Sequence, residues 1–263
     1  MNITDRATTM QIMTAVNALG ASAPKGIAES YEETNRVSAA ARALGAGRED
    51  LAIAVNGALV AGRDPAKDPE VQRVLIASQI ANEGVVQTVE SIAFKRFREV
   101  CTANAEPLVI AWRKPFDAAA TKLASCFQQI GPIPLEDTGS IMQRGGDIAA
   151  VWAEAQSATQ TIESIRTGWT ALAQFTRTAP INPDFRVLQL AEVSYAAWTE
   201  HTLRRRKLNP WEYQLAGLDL SLPTAAEYRD RVRTITDGIA QVESVVDRGR
   251  SHIAGHEIRV PVR

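Results

Sequence analysis

The sequence predicts an all-α fold, namely an elongated helical bundle with long antiparallel coiled-coil-like helices and a small N-terminal helical subdomain. Three observations predict it. A two-position heptad pattern runs through 147–176, residues typical of helix starts and ends stand at the limits of several segments, and strand-like segments do not alternate with helical ones.

The heptad pattern in 147–176 is the most regular feature of the chain. One series recurs every seventh residue and a second fills the three-residue offset, and the eight positions are Ile148, Ala155, Ile162, Trp169, Val151, Ala158, Ile165 and Leu172. Such a pattern predicts a helix with one narrow apolar edge that another helix covers. Because the preceding loop, 131–146, is long enough for the chain to reverse, we expect this helix to pack antiparallel on 109–130.

The N-terminal segment predicts three short helices at 3–19, 27–44 and 49–61, separated by glycine-containing breaks. In the third helix the predicted inward residues are Leu51, Val55, Ala58 and Leu59. The stretch that follows is rich in Pro and Asp, which is typical of a short linker. We therefore predict a small helical subdomain at 1–62.

A longer helical pattern begins after that linker. Asp68 is a suitable cap and Pro69 suits the first helical position. Pro107 and Pro115 each remove a backbone donor, and Gly131 with Pro132 ends the pattern. The stretch 69–130 is therefore one kinked helix or two helices in tandem, and the absence of turn residues other than proline between its two apolar patterns, 71–100 and 109–130, favours the kinked helix.

The C-terminal third predicts a helix over 184–207, an apolar non-helical run over 208–223 and a last helix over 224–249. Thr224 followed by Glu227 is a capping box, which indicates a helix start. The long-helix bundle is predicted to span 69–250, and the tail 251–263 alternates like a strand over 256–262.

Composition excludes several classes of protein. With 45% hydrophobic residues, 22% charged residues and a net charge of -1, the chain is foldable and its charge alone names no partner. The N-terminus shows no secretory signal and no stretch is long and apolar enough for a membrane span. We expect a cytoplasmic protein, with its two cysteines, Cys101 and Cys126, reduced.

Two polar clusters carry alternative functional hypotheses. The basic run Arg204, Arg205, Arg206 and Lys207 could contact nucleic acid, although cations are also common in the last turn of a helix. His252 and His256 have metal-ligand spacing, but neighbouring glycines make a helix there doubtful and a solvated tail is the expected interpretation. No phosphate-binding loop, nucleophile triad or di-iron motif occurs, and we predict no cofactor.

The sequence therefore favours a non-catalytic protein that binds other protein chains, as a homo-oligomer or an assembly component. A structural or assembly protein of a phage or other mobile element is one example of this class. The apolar run after residue 207 supplies a candidate interaction surface, consisting of Trp211, Tyr213, Leu218 and Leu220. The alternatives are nucleic-acid binding through 204–207 and an enzyme with a metal at 252 and 256.

Overall fold

A computed structural model describes residues 3–19, 24–203 and 208–254, and gives side chains for these residues except 3–5, 201–203 and 243–254. Eleven α-helices and one 3-10 helix lie in these ranges, which confirms the all-α prediction. The α-helices are α1 (Ile3–Asn17), α2 (Ile27–Ala43), α3 (Arg48–Val60), α4 (Pro69–Asn82), α5 (Val85–Ala103), α6 (Ala105–Ile130), α7 (Thr138–Met142), α8 (Gly146–Thr176), α9 (Tyr195–Leu203), α10 (Pro210–Leu215) and α11 (Ala225–Ala254).

The helices form two compact units, Met1–Leu108 and Val109–Arg263. In the first unit α2 packs against α5 and α3 packs against α4. The Arg42 guanidinium on α2 donates to the buried Glu90 carboxylate on α5, with the Nε and Nη2 atoms each 2.6 Å from Oε1. The partners of α2 and α3 in this unit, α5 and α4, lie beyond residue 68, and the subdomain boundary at 62 stays a prediction.

The predicted kinked helix over 69–130 is wrong, since three separate helices occupy it. The first break is at Gly84, whose φ of 71° lies in the left-handed region, and the second is at Asn104. Helix α6 contains both prolines, with Pro107 in its first turn, where the missing donor would be unpaired anyway, and Pro115 in its interior. Pro69 starts α4, and the Asp68 carboxylate accepts from the backbone N–H groups of residues 70 and 71, as predicted.

The predicted apolar edge of 147–176 is confirmed in the second unit. In α8, six of its eight positions are buried, including Ile162, Ile165 and Trp169, whereas Ile148 and Val151 near the N-terminal end are half-buried. Trp169 meets Tyr228 of α11 edge to face, with ring centroids 5.2 Å apart. Lys122 on α6 is 2.8 Å from Glu154 on α8. Antiparallel coiled-coil packing of α8 on α6 stays a prediction.

The segment 177–223 differs from its predicted structure. A 3-10 helix, Pro183–Gln189, and a short irregular stretch replace the first part of the predicted helix 184–207, so within its described residues, 184–203, only α9 is α-helical. The run 208–223, predicted as non-helical, contains α10, which Asn209 caps through its side chain. Ala191 forms an isolated antiparallel bridge with Leu220, and no strand occurs among residues 3–19, 24–203 and 208–254.

The start of α11 follows the predicted capping box. The Thr224 N–H donates to Glu227 Oε2 at 2.6 Å, and the Glu227 N–H donates to Thr224 Oγ1 at 3.2 Å. The helix continues to Ala254, past the end predicted at Gly249. The strand-like residues 256–262 lie outside the described residues.

Two further predictions concern the cysteines and the membrane. Both thiols, of Cys101 and Cys126, are free and buried in this structure, and their reduced state in the cell stays a prediction. In the part of the chain that is described, no helix combines the length and apolarity that crossing a membrane requires.

Candidate functional site: the open face of helix α3

Large apolar side chains exposed to solvent are concentrated in the first unit. They lie on most of its helices, and the described ones are Met10, Leu44, Ile53, Leu59, Val60, Leu75, Ile76, Val85 and Ile92. Scattered exposed apolar residues are ordinary on protein surfaces, but a group on one face of a helix marks an interaction surface. The informative residues are therefore those that share a face.

At the start of helix α3, a side-chain carboxylate accepts a hydrogen bond from a backbone N–H group that has no partner within the helix. The Gly47 N–H donates to Asp50 Oδ2 at 2.7 Å, and the acidic first turn, Glu49 and Asp50, complements the positive end of the helix dipole. The helix packs on α4, and Ala58 is the one α3 residue that is buried. Leu51 and Val55, on the same side of the helix, are half-buried.

The opposite side of α3 is apolar as well. Ile53, Gly57 and Val60 follow the i, i+4, i+7 spacing that places residues on one face of a helix, and Asn56 lies beside them. Ile53 is 64% exposed and Val60 is 81% exposed, although both are β-branched residues of the type usually found in cores. We call these four residues, Ile53, Asn56, Gly57 and Val60, the α3 face.

Gly57 is unusual because nothing in its own chain requires a glycine at that position. Its φ is not positive, and a Cβ built on it would meet no atom within 4 Å. An interior helical glycine costs about 0.5–1 kcal/mol relative to alanine. Gly238 in α11 is the contrasting case, since a Cβ there would lie 2.9 Å from Cγ of Tyr195 on α9.

Charged side chains of both signs lie beyond each end of the α3 face, since Arg48 also stands in the first turn, Arg63 is 2.5 Å from the buried Asp68 carboxylate and Lys67 is 3.9 Å from Asp64. Glu49 and Asp50, both exposed, stand in the first turn. Arg63 and Lys67 lie in the turn after the last residue of α3, and their side chains are 58% and 86% exposed. The face itself carries no charge.

This face was not predicted from the sequence. Leu59 was expected to point inward with Ala58, whereas it is 60% exposed and projects about 100° away from Ala58 around the helix. The sequence feature that could have revealed this face is that α3 has apolar residues on all sides, which is a property of helices that are covered on more than one side.

The interaction surface predicted from sequence is largely part of the core of the second unit. Trp211 and Tyr213 are both 1% exposed, and Leu218 and Leu220 are half-buried. The Trp211 indole N–H donates to the Ile133 carbonyl at 2.8 Å, and burial raises the pKa of the Tyr213 hydroxyl. These two rings pack α10 against the rest of the unit, and contact with a partner through this run stays a prediction.

The other predicted sites lie mostly outside the described residues. Arg204, Arg205, Arg206, Lys207 and His256 are not described, and the side chain of His252 is not described either. Nucleic-acid contact through 204–207 therefore stays a prediction. Among the residues whose side chains are described, no group of three His, Cys, Asp or Glu residues has an arrangement that could hold a metal ion.

An open polar pocket of about 530 Å³ lies in the second unit, and its arginines have structural partners. Arg231 donates to the carbonyl of Leu188 at 3.0 Å and to Ser221 Oγ at 2.7 Å, so it joins the 3-10 segment to the segment before α11. Arg113 donates to the Leu222 carbonyl at 3.0 Å and pairs with Glu227. Burial lowers the pKa of Arg231. These contacts connect three segments of the chain.

Comparison with known proteins gives the chain no relative: no family model, no curated protein and no solved structure matches it. The α-helical fold and the α3 face are thus the observations on which its function has to be argued.

Proposed function

We propose that this protein is a non-catalytic interaction or assembly protein, and that it associates with protein through the α3 face. The observation that supports this most directly is the exposure of Ile53 and Val60 on the side of α3 opposite its packed residue, Ala58. A short helix gains most of its stability from burying an apolar face against a neighbour. Covering a second apolar face would add to that stability.

The chemistry of the α3 face suits protein better than a small ligand or nucleic acid. The face is a convex helix surface with apolar side chains and one amide, whereas small-molecule sites are concave. Nucleic acid would require a group of Lys and Arg side chains there, and the α3 face has none. An uncharged apolar centre with charges outside it is the composition of the core and rim of a protein interface.

The experiment is sedimentation equilibrium of the full chain across a wide concentration range. We expect a concentration-dependent increase in mass that Val60→Glu abolishes, because burying an unpaired carboxylate in the contact is unfavourable. Ala40→Glu is the control, since Ala40 is exposed on α2 and is not part of the α3 face. A monomer at every concentration, or equal effects of the two variants, would contradict the proposal.

A further inference from the structure

We propose that a cavity between α2 and α5 binds a free α-amino acid with an apolar side chain. The cavity has a volume of about 210 Å³, lies within the first unit and is lined by these two helices. The site is separate from the α3 face, so it does not depend on the interaction role proposed for that face.

Each of the two helices lines the cavity with one of its faces. The lining residues of α2 run from Ser30 to Val37 and those of α5 from Val89 to Arg96, and both sets follow the i, i+3, i+4, i+7 spacing of a single helix face. Two facing rows of side chains therefore form the walls.

The inner wall of the cavity makes no polar demand on a ligand. Thr34 and Ala93, its buried members, are 3% and 7% exposed. The Thr34 hydroxyl donates to the Ser30 carbonyl at 2.8 Å and lies 3.4 Å from the Ala93 carbonyl oxygen. Because an apolar cavity of about 150 Å³ can hold benzene, the volume here suits a branched or aromatic side chain.

The direction of the two helices determines which lining residues share an end of the cavity. Near the start of α2, the Tyr31 ring lies 5.5 Å from the ring of Phe97, which is late in α5. Near the end of α2, Arg42 pairs with Glu90, which is early in α5. The two helices are therefore antiparallel.

This direction gives the cavity a charged end and an apolar end. Glu33 lies early in the α2 face and Arg96 late in the α5 face, so the two charged residues share one end. Val37 and Val89 share the other end, and Ile92 lies between the ends and is 50% exposed. A ligand that fits this arrangement has an apolar body and a charged head.

The charged end requires a head with both signs of charge. Glu33 and Arg96 are exposed, and neither side chain forms an ion pair or hydrogen bond with any part of the chain that the structure describes. A ligand ammonium can pair with Glu33, and a ligand carboxylate can accept two hydrogen bonds from the guanidinium of Arg96. A lone carboxylate would meet the like charge of Glu33, and a lone amine that of Arg96. An α-amino acid carries both groups beside its side chain.

The test is a nuclear magnetic resonance titration of the full chain with L-leucine, which follows the methyl resonances of Val37, Val89 and Ile92. We expect saturable shifts. N-acetylleucine and leucinamide, which each lack one of the two charges, should bind at least about tenfold more weakly, because a charge-assisted hydrogen bond is lost. Glycine should also bind at least about tenfold more weakly, because it buries no apolar side chain.

Substitutions at the charged end test the two assigned contacts. Glu33→Gln and Arg96→Gln should each weaken leucine binding about tenfold. The matched controls are Glu32→Gln and Arg36→Gln, since both residues are exposed on α2 and neither lines the cavity. The controls should bind leucine as the unsubstituted chain does, and circular dichroism should show the same helix content in all four variants.

Three results would overturn the assignment. The first is the absence of saturable methyl shifts with leucine, and the second is equal affinity in the cavity variants and their controls. The third is N-acetylleucinamide binding as tightly as leucine, which would show that the cavity takes an apolar side chain of a polypeptide instead. Val60→Glu should leave leucine binding unchanged, so failure of this site and failure of the α3 face are distinguishable.

Discussion

Gly57 and Gly238 are both interior residues of helices, and their surroundings predict opposite effects of the same substitution. At Gly57 an added methyl group meets no atom of its own chain, so Gly57→Ala should raise the free energy of unfolding of the monomer by about 0.5–1 kcal/mol. At Gly238 the added Cβ would lie 2.9 Å from the Tyr195 ring, so Gly238→Ala should lower the free energy of unfolding by about 1–3 kcal/mol. Urea denaturation at low protein concentration measures the two free energies of unfolding. If both substitutions raise the free energy of unfolding, or both lower it, this interpretation of the two glycines is wrong.

The ion pair of Arg42 with Glu90 predicts a stability effect confined to the first unit. The Glu90 side chain is 7% exposed and that of Arg42 is 46% exposed, so solvent screens the arginine but not the carboxylate. Arg42→Met keeps the apolar stem and leaves the buried carboxylate without its partner. We expect a loss of about 1–3 kcal/mol in the free energy of unfolding.

A double-mutant cycle distinguishes this ion pair from simple loss of packing. Glu90→Gln removes the charge, so adding Arg42→Met to it should cost less than Arg42→Met alone. Equal costs in the two backgrounds would show that the charge of Glu90 is irrelevant to the effect.

At the scale of the element, the buried edge of α8 predicts a gradient of sensitivity along one helix. Ile162 is fully buried, whereas Ile148 on the same edge is half-buried near the N-terminal end. Ile162→Ala should therefore lower the free energy of unfolding by about 2–5 kcal/mol, and Ile148→Ala by clearly less. Denaturation followed by tryptophan fluorescence measures the difference, and equal losses would mean that the edge is not packed as the structure shows.

The capping box of α11 predicts a pH dependence. Although burial acts to raise the pKa of Glu227, hydrogen bonds from Thr224 and the positive charge of Arg113 lower it below its ordinary value of 4.5. A carboxyl group whose pKa is lowered on folding stabilises the protein above its unfolded pKa, and this contribution disappears as the pH falls through the folded pKa.

We therefore expect Glu227→Gln to be less stable than the unsubstituted chain at pH 7 and nearly equal to it at a pH below the folded pKa. Comparing urea denaturation of the two proteins from pH 7 downward checks this. A difference in stability that stays constant across that range would show that the charge of Glu227 does not contribute.

Particular elements show how far the sequence predicts this fold. The α8 edge and the Thr224 capping box were predictable because heptad spacing and side-chain capping are local patterns. The break at Gly84 was not, since a glycine inside a periodic apolar pattern is compatible with a continuous helix as well as with a left-handed residue. Pro115 was predicted to bend or end a helix, and α6 continues through it. The helix ends lie instead at Gly84 and Asn104, which the prediction of one kinked helix missed.

The candidate site was harder to predict than the fold. Apolar residues after residue 207 were predicted to lie against the bundle and to supply a possible interaction surface, and Trp211 and Tyr213 are buried. For α3, periodicity identified the side that packs on α4 but not the exposure of the other side, which depends on which neighbours the tertiary fold supplies. Exposure of Ile53 and Val60 is a property of the whole unit.

At the scale of the whole molecule, the position of the tryptophans allows the two units to be followed separately. All five, Trp112, Trp152, Trp169, Trp198 and Trp211, belong to the second unit, whereas both units contribute helices to far-ultraviolet circular dichroism. If each unit has its own core and unfolds independently, the two signals should give transitions that do not coincide. Arg42→Met should then shift a phase seen by circular dichroism alone, and Ile162→Ala should shift the fluorescence transition.

Self-association through α3 adds a concentration dependence to this prediction, because a partner that binds only the folded form stabilises it by mass action. Raising the protein concentration should move the circular dichroism phase of the first unit to higher urea and leave the fluorescence transition of the second unit in place. Val60→Glu should remove that concentration dependence, and Ala40→Glu should preserve it. Coincident transitions in every variant would show instead that the chain unfolds as one cooperative body, and a fluorescence transition that shifts with concentration would place the association in the second unit.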